Sequence, residues 1–179
     1  MRVDDIEGVI TKENRLFKDN RGSFIETFKV TAFPKFVSVQ DNHSFSKKGV
    51  LRGLHYVKGM GQNQILSIVR GEILDFLVDL RRGSPTYLDH KAVRMSYEGV
   101  NQIFIPSFCA HGFLSLTDNV VLHYKADKLF SPQTDATINI FDSDLGIEIP
   151  KIVPQFIQSE KDARAKNLCD HDLTEFMVL

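Results

Sequence analysis

The chain has 179 residues, a length that fits one domain and can bury a sizeable core. Lys plus Arg number 22 and Asp plus Glu 23, so no overall positive field exists to hold nucleic acid, and a ligand phosphate has to be met by a few placed cations. Hydrophobic residues make up 42% of the chain, yet no apolar run approaches the ~20 residues that cross a bilayer as a helix.

The opening residues, MRVDDIEGVI, lack the long apolar core of a secretion signal, so a reducing cytoplasm is the expected compartment. Cys109 and Cys169 have no CxxC spacing, and neither a disulfide framework nor a zinc knuckle follows. No repeat or linker interrupts the chain, so residues 1–179 read as a single domain.

Short apolar runs then recur between Gly, Pro, Asn and Asp. Segments 9–11, 23–28, 37–40, 51–56, 65–69, 72–79, 91–95, 102–105, 113–116, 120–124 and 137–140 read as strands, on their content of Val, Ile, Phe and Thr. Regular short strands with turn punctuation predict an all-β sandwich or barrel. The polar residues after Gln40 read as a turn. Helical pattern is scarce: one turn at 30–33, ended by Pro34, and a segment at 159–168. There Ser159 can cap, and Asp162 stands three residues later in the capping-box slot.

Side chains alternate along a strand, so some can be assigned to faces. Leu122, Tyr124 and Ala126 share one face, and His123 and Lys125 the other. Gln64, Leu66, Ile68 and Arg70 also share a face. Arg52 and His55 fall on opposite faces unless Gly53 supplies a bulge. Without a bulge, one of the two serves a neighbouring subunit. Together, a permanent cation and a residue that exchanges protons near neutral pH would bind an anionic ligand and move a proton on it.

Several segments carry a resemblance in order along the chain. They include Phe17-Lys18-Asp19-Asn20-Arg21-Gly22-Ser23-Phe24-Ile25-Glu26, Val39-Gln40-Asp41-Asn42-His43-Ser44 and Lys48-Gly49-Val50-Leu51-Arg52-Gly53-Leu54-His55-Tyr56. Val69-Arg70-Gly71-Glu72, Ala110-His111-Gly112-Phe113, Tyr124-Lys125 and Asp144-Leu145-Gly146-Ile147 follow. The set resembles the dTDP-4-dehydrorhamnose 3,5-epimerase family over about residues 17 to 162.

The resemblance implies a cupin-type jelly roll, a homodimer, no metal or organic cofactor, and a nucleotide diphosphate sugar of the 4-keto-6-deoxy class as substrate. The family's proton-abstracting His matches His55, its acidic partner Asp162, and the Tyr on the opposite face of the sugar Tyr124. Phosphate and sugar contacts match Arg21, Glu26, Gln40, Asn42, Arg52 and His111.

The chain also departs from the family. Gln64 stands where a Lys usually approaches the keto oxygen, no Trp occurs anywhere, and the paired aromatics after the Tyr-Lys motif are Leu129-Phe130. These departures leave room for a base or sugar other than thymidine and the ordinary deoxyhexose.

Two alternatives stand beside the epimerase. A metal cupin would use His55, His111 and Glu72, but its motif places histidines closely on one strand and Leu54-His55-Tyr56-Val57 supplies one. A non-catalytic sugar-nucleotide binder would have no need of His55, Tyr124 and Asp162 together.

Overall fold

A computed structural model describes residues 6–59 and 61–176. In chain order the strands are β1 (Ile10–Lys12), β2 (Leu16–Asp19), β3 (Gly22–Ile25), β4 (Gln40–Ser46), β5 (Leu51–Val57), β6 (Gln64–Arg70), β7 (Glu72–Asp79), β8 (His90–Ser96), β9 (Gln102–Ile105), β10 (Cys109–Ser115), β11 (Val120–Ala126) and β12 (Asp135–Thr137). The α-helix, α1 (Glu160–Ala163), has a single turn.

Ten strands form two five-stranded antiparallel sheets, ordered β1-β9-β6-β11-β4 and β12-β5-β10-β7-β8. The remaining pair, β2 and β3, makes a separate hairpin. The two sheets pack as the jelly roll expected, with a few short helices.

Burial explains which runs become strands. Between the sheets, Leu66, Ile68, Val120 and Leu122 meet Ile73, Leu77, Met95 and Phe113. The second sheet is covered on its other face too, where Leu54, Phe76, Val78, Ala110 and Leu114 pack against Ile138, Ile140, Leu145, Leu168 and Phe176 from the C-terminal segment. With both faces covered, β10 is buried at all seven positions, Cys109 to Ser115. The outer face of the first sheet is smaller and aromatic: Phe33, Phe36 and Phe104 enclose Ile65 beside the 3₁₀ turn Val30–Ala32.

Three expectations need correction. The strand expected at 37–40 begins at Gln40 and runs through the polar stretch to Ser46, paired along β11 from Gln40↔Ala126 to Ser46↔Val120. An edge strand beside a polar cavity needs no apolar alternation, which is why β4 looked like a turn. The expected helix at 159–168 is only Glu160–Ala163, because Asp162 is its one buried residue and no apolar stripe holds a longer helix to the core. The strand expected at 137–140 is Asp135–Thr137, and Ile138 beyond it exchanges backbone hydrogen bonds with Leu54 and bridges Lys166. Asp79 is buried and accepts from the Arg81 guanidinium, Ser84 and Thr86 in the turn that follows it.

Candidate active site

A cavity of about 340 Å³ opens between the sheets. Gln40, Asn42 and Ser44 of β4, Gln64 of β6 and Tyr124 of β11 line it from the first sheet, with Arg52 and His55 of β5 and His111 of β10 on the second.

Arg52 and His55 reach the same cavity because β5 is bulged. Along β10, His111 pairs with His55 and Phe113 with Arg52, so two residues of β5 oppose the single Gly112. Gly53 makes this possible with a φ of +96°. The bulge named as the condition in the sequence is present, and the need for a neighbouring subunit to use one of the two residues falls away.

His55 is anchored from outside the sheets. Its Nε2 lies 2.6 Å from Asp162 Oδ1. Asp162 sits on the first turn of α1, where its backbone N–H donates to the capping hydroxyl of Ser159 and its Oδ2 accepts from that hydroxyl. The capping reading and the pairing with His55 therefore hold at once. Burial works against charge on Asp162, but hydrogen bonds from His55 and Ser159, with the nearby Lys161, hold its carboxyl below the ordinary value. An ionised Asp162 keeps the proton of His55 on Nε2, which leaves Nδ1 free as a base.

Tyr124 stands on the opposite sheet with Ser44 Oγ 2.9 Å from its hydroxyl. Burial pushes its pKa up to about 12, against the hydrogen bond from Ser44 and the charge of Arg52. The phenol is therefore a held proton donor across the physiological range. His123 and Lys125 point away as alternation requires, and pair with Asp41.

One cavity wall carries a chain of side-chain amides. The Phe130 N–H donates to Gln40 Oε1 and Gln40 Nε2 to Asn42 Oδ1, which leaves Asn42 Nδ2 as the donor beside the cavity. On the other wall His111 Nδ1 lies 3.4 Å from Asp75 Oδ1. Burial pushes the Asp75 carboxyl up, with the hydrogen bond to His111 working against it.

Arg21 and Glu26 do not line this cavity. Arg21, at the tip of the β2–β3 hairpin, pairs with Asp19 at 2.6 Å, and Glu26 with Lys29 at 3.2 Å. Lys58 lines a neighbouring groove with Lys161 and Lys166. Glu72 is not near the histidines; it holds Arg94 at 2.6 Å at the surface. Among the described residues no three His, Cys, Asp or Glu side chains are grouped as a metal ion would need.

Sequence reasoning did not single out Ser44, Asp75 or Gln62. Ser44 had a signal, since it lies two and four residues from Asn42 and Gln40 on one strand face. Asp75 had one as well: a carboxylate set between the apolar pairs and runs Ile73-Leu74 and Phe76-Leu77-Val78 of β7.

A protein-family model described as dTDP-4-dehydrorhamnose 3,5-epimerase matches residues 4–170. The chain belongs to the dTDP-4-dehydrorhamnose 3,5-epimerase family. As a member of this epimerase family it is an isomerase, a carbohydrate epimerase of deoxysugar biosynthesis.

The dTDP-4-dehydrorhamnose 3,5-epimerase of Methanothermobacter thermautotrophicus is 42% identical over 168 residues, covering 91% of each chain. That of Pseudomonas aeruginosa is 39% identical over 172 residues, covering 93% of this chain and 94% of its own. The crystal structure of dTDP-6-deoxy-D-glucose-3,5-epimerase RmlC from Legionella pneumophila, in complex with dTDP-4-keto-L-rhamnose, matches with a TM-score of 0.91 at 35% identity, over 97% of this chain and 95% of that one. ChmJ, a 3'-monoepimerase from Streptomyces bikiniensis in complex with dTDP-quinovose, matches with a TM-score of 0.86 at 33% identity, over 94% of this chain and 88% of that one. Among the described residues no helix of this family member is long and apolar enough to cross a membrane.

Proposed function

We propose that this chain inverts C3, C5 or both on a dTDP-linked 4-keto-6-deoxysugar, by proton transfer between its own side chains and without a cofactor. The observation that carries the reading is the placing of His55 and Tyr124 on opposite sheets around one cavity, with His55 tied to Asp162.

A C4 ketone acidifies the protons on its neighbouring carbons, because the carbanion delocalises into an enolate. His55 Nδ1 takes that proton, and the electron pair of the C–H bond moves into the enolate. Asp162 stabilises the imidazolium formed and keeps the ring oriented. Tyr124 returns a proton from the other face, so the centre inverts with no redox change. The phenolate recovers its proton from solvent and His55 releases its own.

Arg52 meets the diphosphate, while Gln40, Asn42, Gln64 and His111 contact the sugar and nucleotide. The relatives named for dTDP-sugars favour thymidine over another base.

We further propose that the chain acts as one domain in a homodimer in the cytoplasm. The β2–β3 hairpin stands apart from both sheets with Phe17 and Phe24 exposed, and its Arg21 and the nearby Glu26 lie outside the chain's own cavity. A second copy supplies a surface for those rings and a site for those charges.

The test is incubation in deuterium oxide with a panel of nucleotide 4-keto-6-deoxysugars, locating label by NMR. Deuterium at C3 or C5 of the dTDP sugar, with inversion, is the expected result. Binding of the panel with no label anywhere would leave the non-catalytic alternative standing.

A further inference from the structure

The geometry points to Gln62 as a positioning residue that fixes which way the Gln64 amide faces the sugar. This inference rests on the epimerase reading and adds to it how the enolate oxygen is met. Gln62 and Gln64 both line the cavity.

Gln62 Nε2 donates to the Lys128 carbonyl at 2.7 Å. A backbone carbonyl can only accept, so Gln62 must keep its amide nitrogen there and turn Oε1 the other way. That oxygen accepts from Gln64 Nε2 at 2.9 Å. The anchor at Lys128 thus sets the polarity of both amides. Gln64 keeps one further N–H, and its Oε1 has no hydrogen-bond partner among the described residues.

Orientation matters for an amide in a way it does not for an ammonium. A free Gln amide can flip, presenting either a donor or an acceptor to a nearby atom. An enolate oxygen on C4 is stabilised by the donor and repelled by the acceptor. Holding Gln64 Nε2 on Gln62 keeps its nitrogen on one side and its second N–H available to the sugar. A Lys at position 64 has three equivalent donors and no wrong face. Gln62 should therefore matter to catalysis when residue 64 is Gln, and cease to matter when it is Lys.

This dependence separates orientation from simple support of the fold. The experiment compares wild type, Gln62→Met, Gln64→Lys and the double variant, measuring kcat, KM and thermal unfolding on the sugar nucleotide the wild type turns over. Gln62→Met in the wild-type background should lower kcat about three- to tenfold, the rate equivalent of one neutral hydrogen bond, with KM nearly unchanged. In the Gln64→Lys background the same change should cost less than about twofold, a non-additivity expected only of coupled residues.

An equal loss in both backgrounds would overturn the positioning role and leave Gln62 a structural tie to Lys128. A wild type that takes up no deuterium from any substrate would sink the epimerase reading and this inference with it. Should Gln62→Met not fold, the Gln64 side-chain NH₂ signals of the wild type decide. One held and one free N–H predicts two distinct solvent-exchange rates, and two equally fast rates overturn the proposal.

Discussion

A Cβ placed on Gly53 would stand 2.7 Å from the Cα of Gly112, and one placed on Gly112 would stand 2.4 Å from the Arg52 carbonyl oxygen. The two glycines let β5 and β10 approach at the bulge that turns Arg52 and His55 into one cavity. Gly53→Ala also meets a φ of +96°, where L side chains are strained. Each Ala variant is expected to lose about 1–3 kcal/mol of stability by overpacking, and most of its activity with it. Chemical denaturation alongside exchange assays checks this. Full activity in both variants would mean the bulge is not what assembles the site.

Tyr124 is expected to remain protonated to about pH 12, because burial raises its pKa. Tyr124→Phe should then separate the two halves of the reaction, keeping deuterium exchange at the carbon His55 deprotonates while inverted product falls. The wild type should show no alkaline loss from this group below about pH 10, the ordinary value for a phenol. Unimpaired formation of the inverted sugar by Tyr124→Phe would remove Tyr124 from the mechanism.

Asp162 has its carboxyl held below the ordinary value in the folded chain. A depressed folded pKa gives stability that is present above the unfolded value of about 4 and is lost as pH falls through the folded one. Denaturation of wild type and Asp162→Asn across the acid range should show a constant difference at neutral pH that shrinks below about pH 4. A difference that grows toward acid would reverse the sign and contradict the pairing. At neutral pH the Asn variant should keep more activity than a variant lacking His55.

Arg52 lines the cavity and holds the Ser46 hydroxyl through Nε at 3.3 Å. Arg52→Ala should weaken thymidine diphosphate binding about ten- to a hundredfold, as expected for a charge-assisted contact, and change kcat far less. Arg21→Ala should weaken it too if a partner's hairpin completes the site. Titration calorimetry reads both, and sedimentation reads the dimer. Unchanged affinity in both variants, or a fully active monomer, would count against the assignment.

The strands with apolar alternation were legible in the sequence, and so was the facing of Tyr124 with Leu122 and Ala126. β4 was not, because Gln40, Asn42 and Ser44 face a polar cavity and their strand carries no apolar stripe. The His55–Asp162 pair was legible only through motif order, since the two residues lie 107 positions apart and Asp162 doubles as a cap-box residue. Asp75 and Gln62 were missed because what they do depends on tertiary neighbours, His111 for the one and the Lys128 carbonyl for the other. The fate of Arg21 and Glu26 was illegible for a different reason. The pattern of a strand does not say whether a hairpin tip serves the cavity of its own chain or that of a partner.

Deuterium uptake at C3 and C5 of dTDP-4-keto-6-deoxyglucose, by wild type and His55→Ala, bears most directly on His55 as the base, with dTDP affinity measured on both. General base catalysis supplies roughly 100- to 10,000-fold, so exchange at the carbon His55 serves should fall by at least about two orders of magnitude while dTDP binding persists. A His55→Ala protein that binds dTDP and keeps more than about a tenth of wild-type exchange would contradict that role.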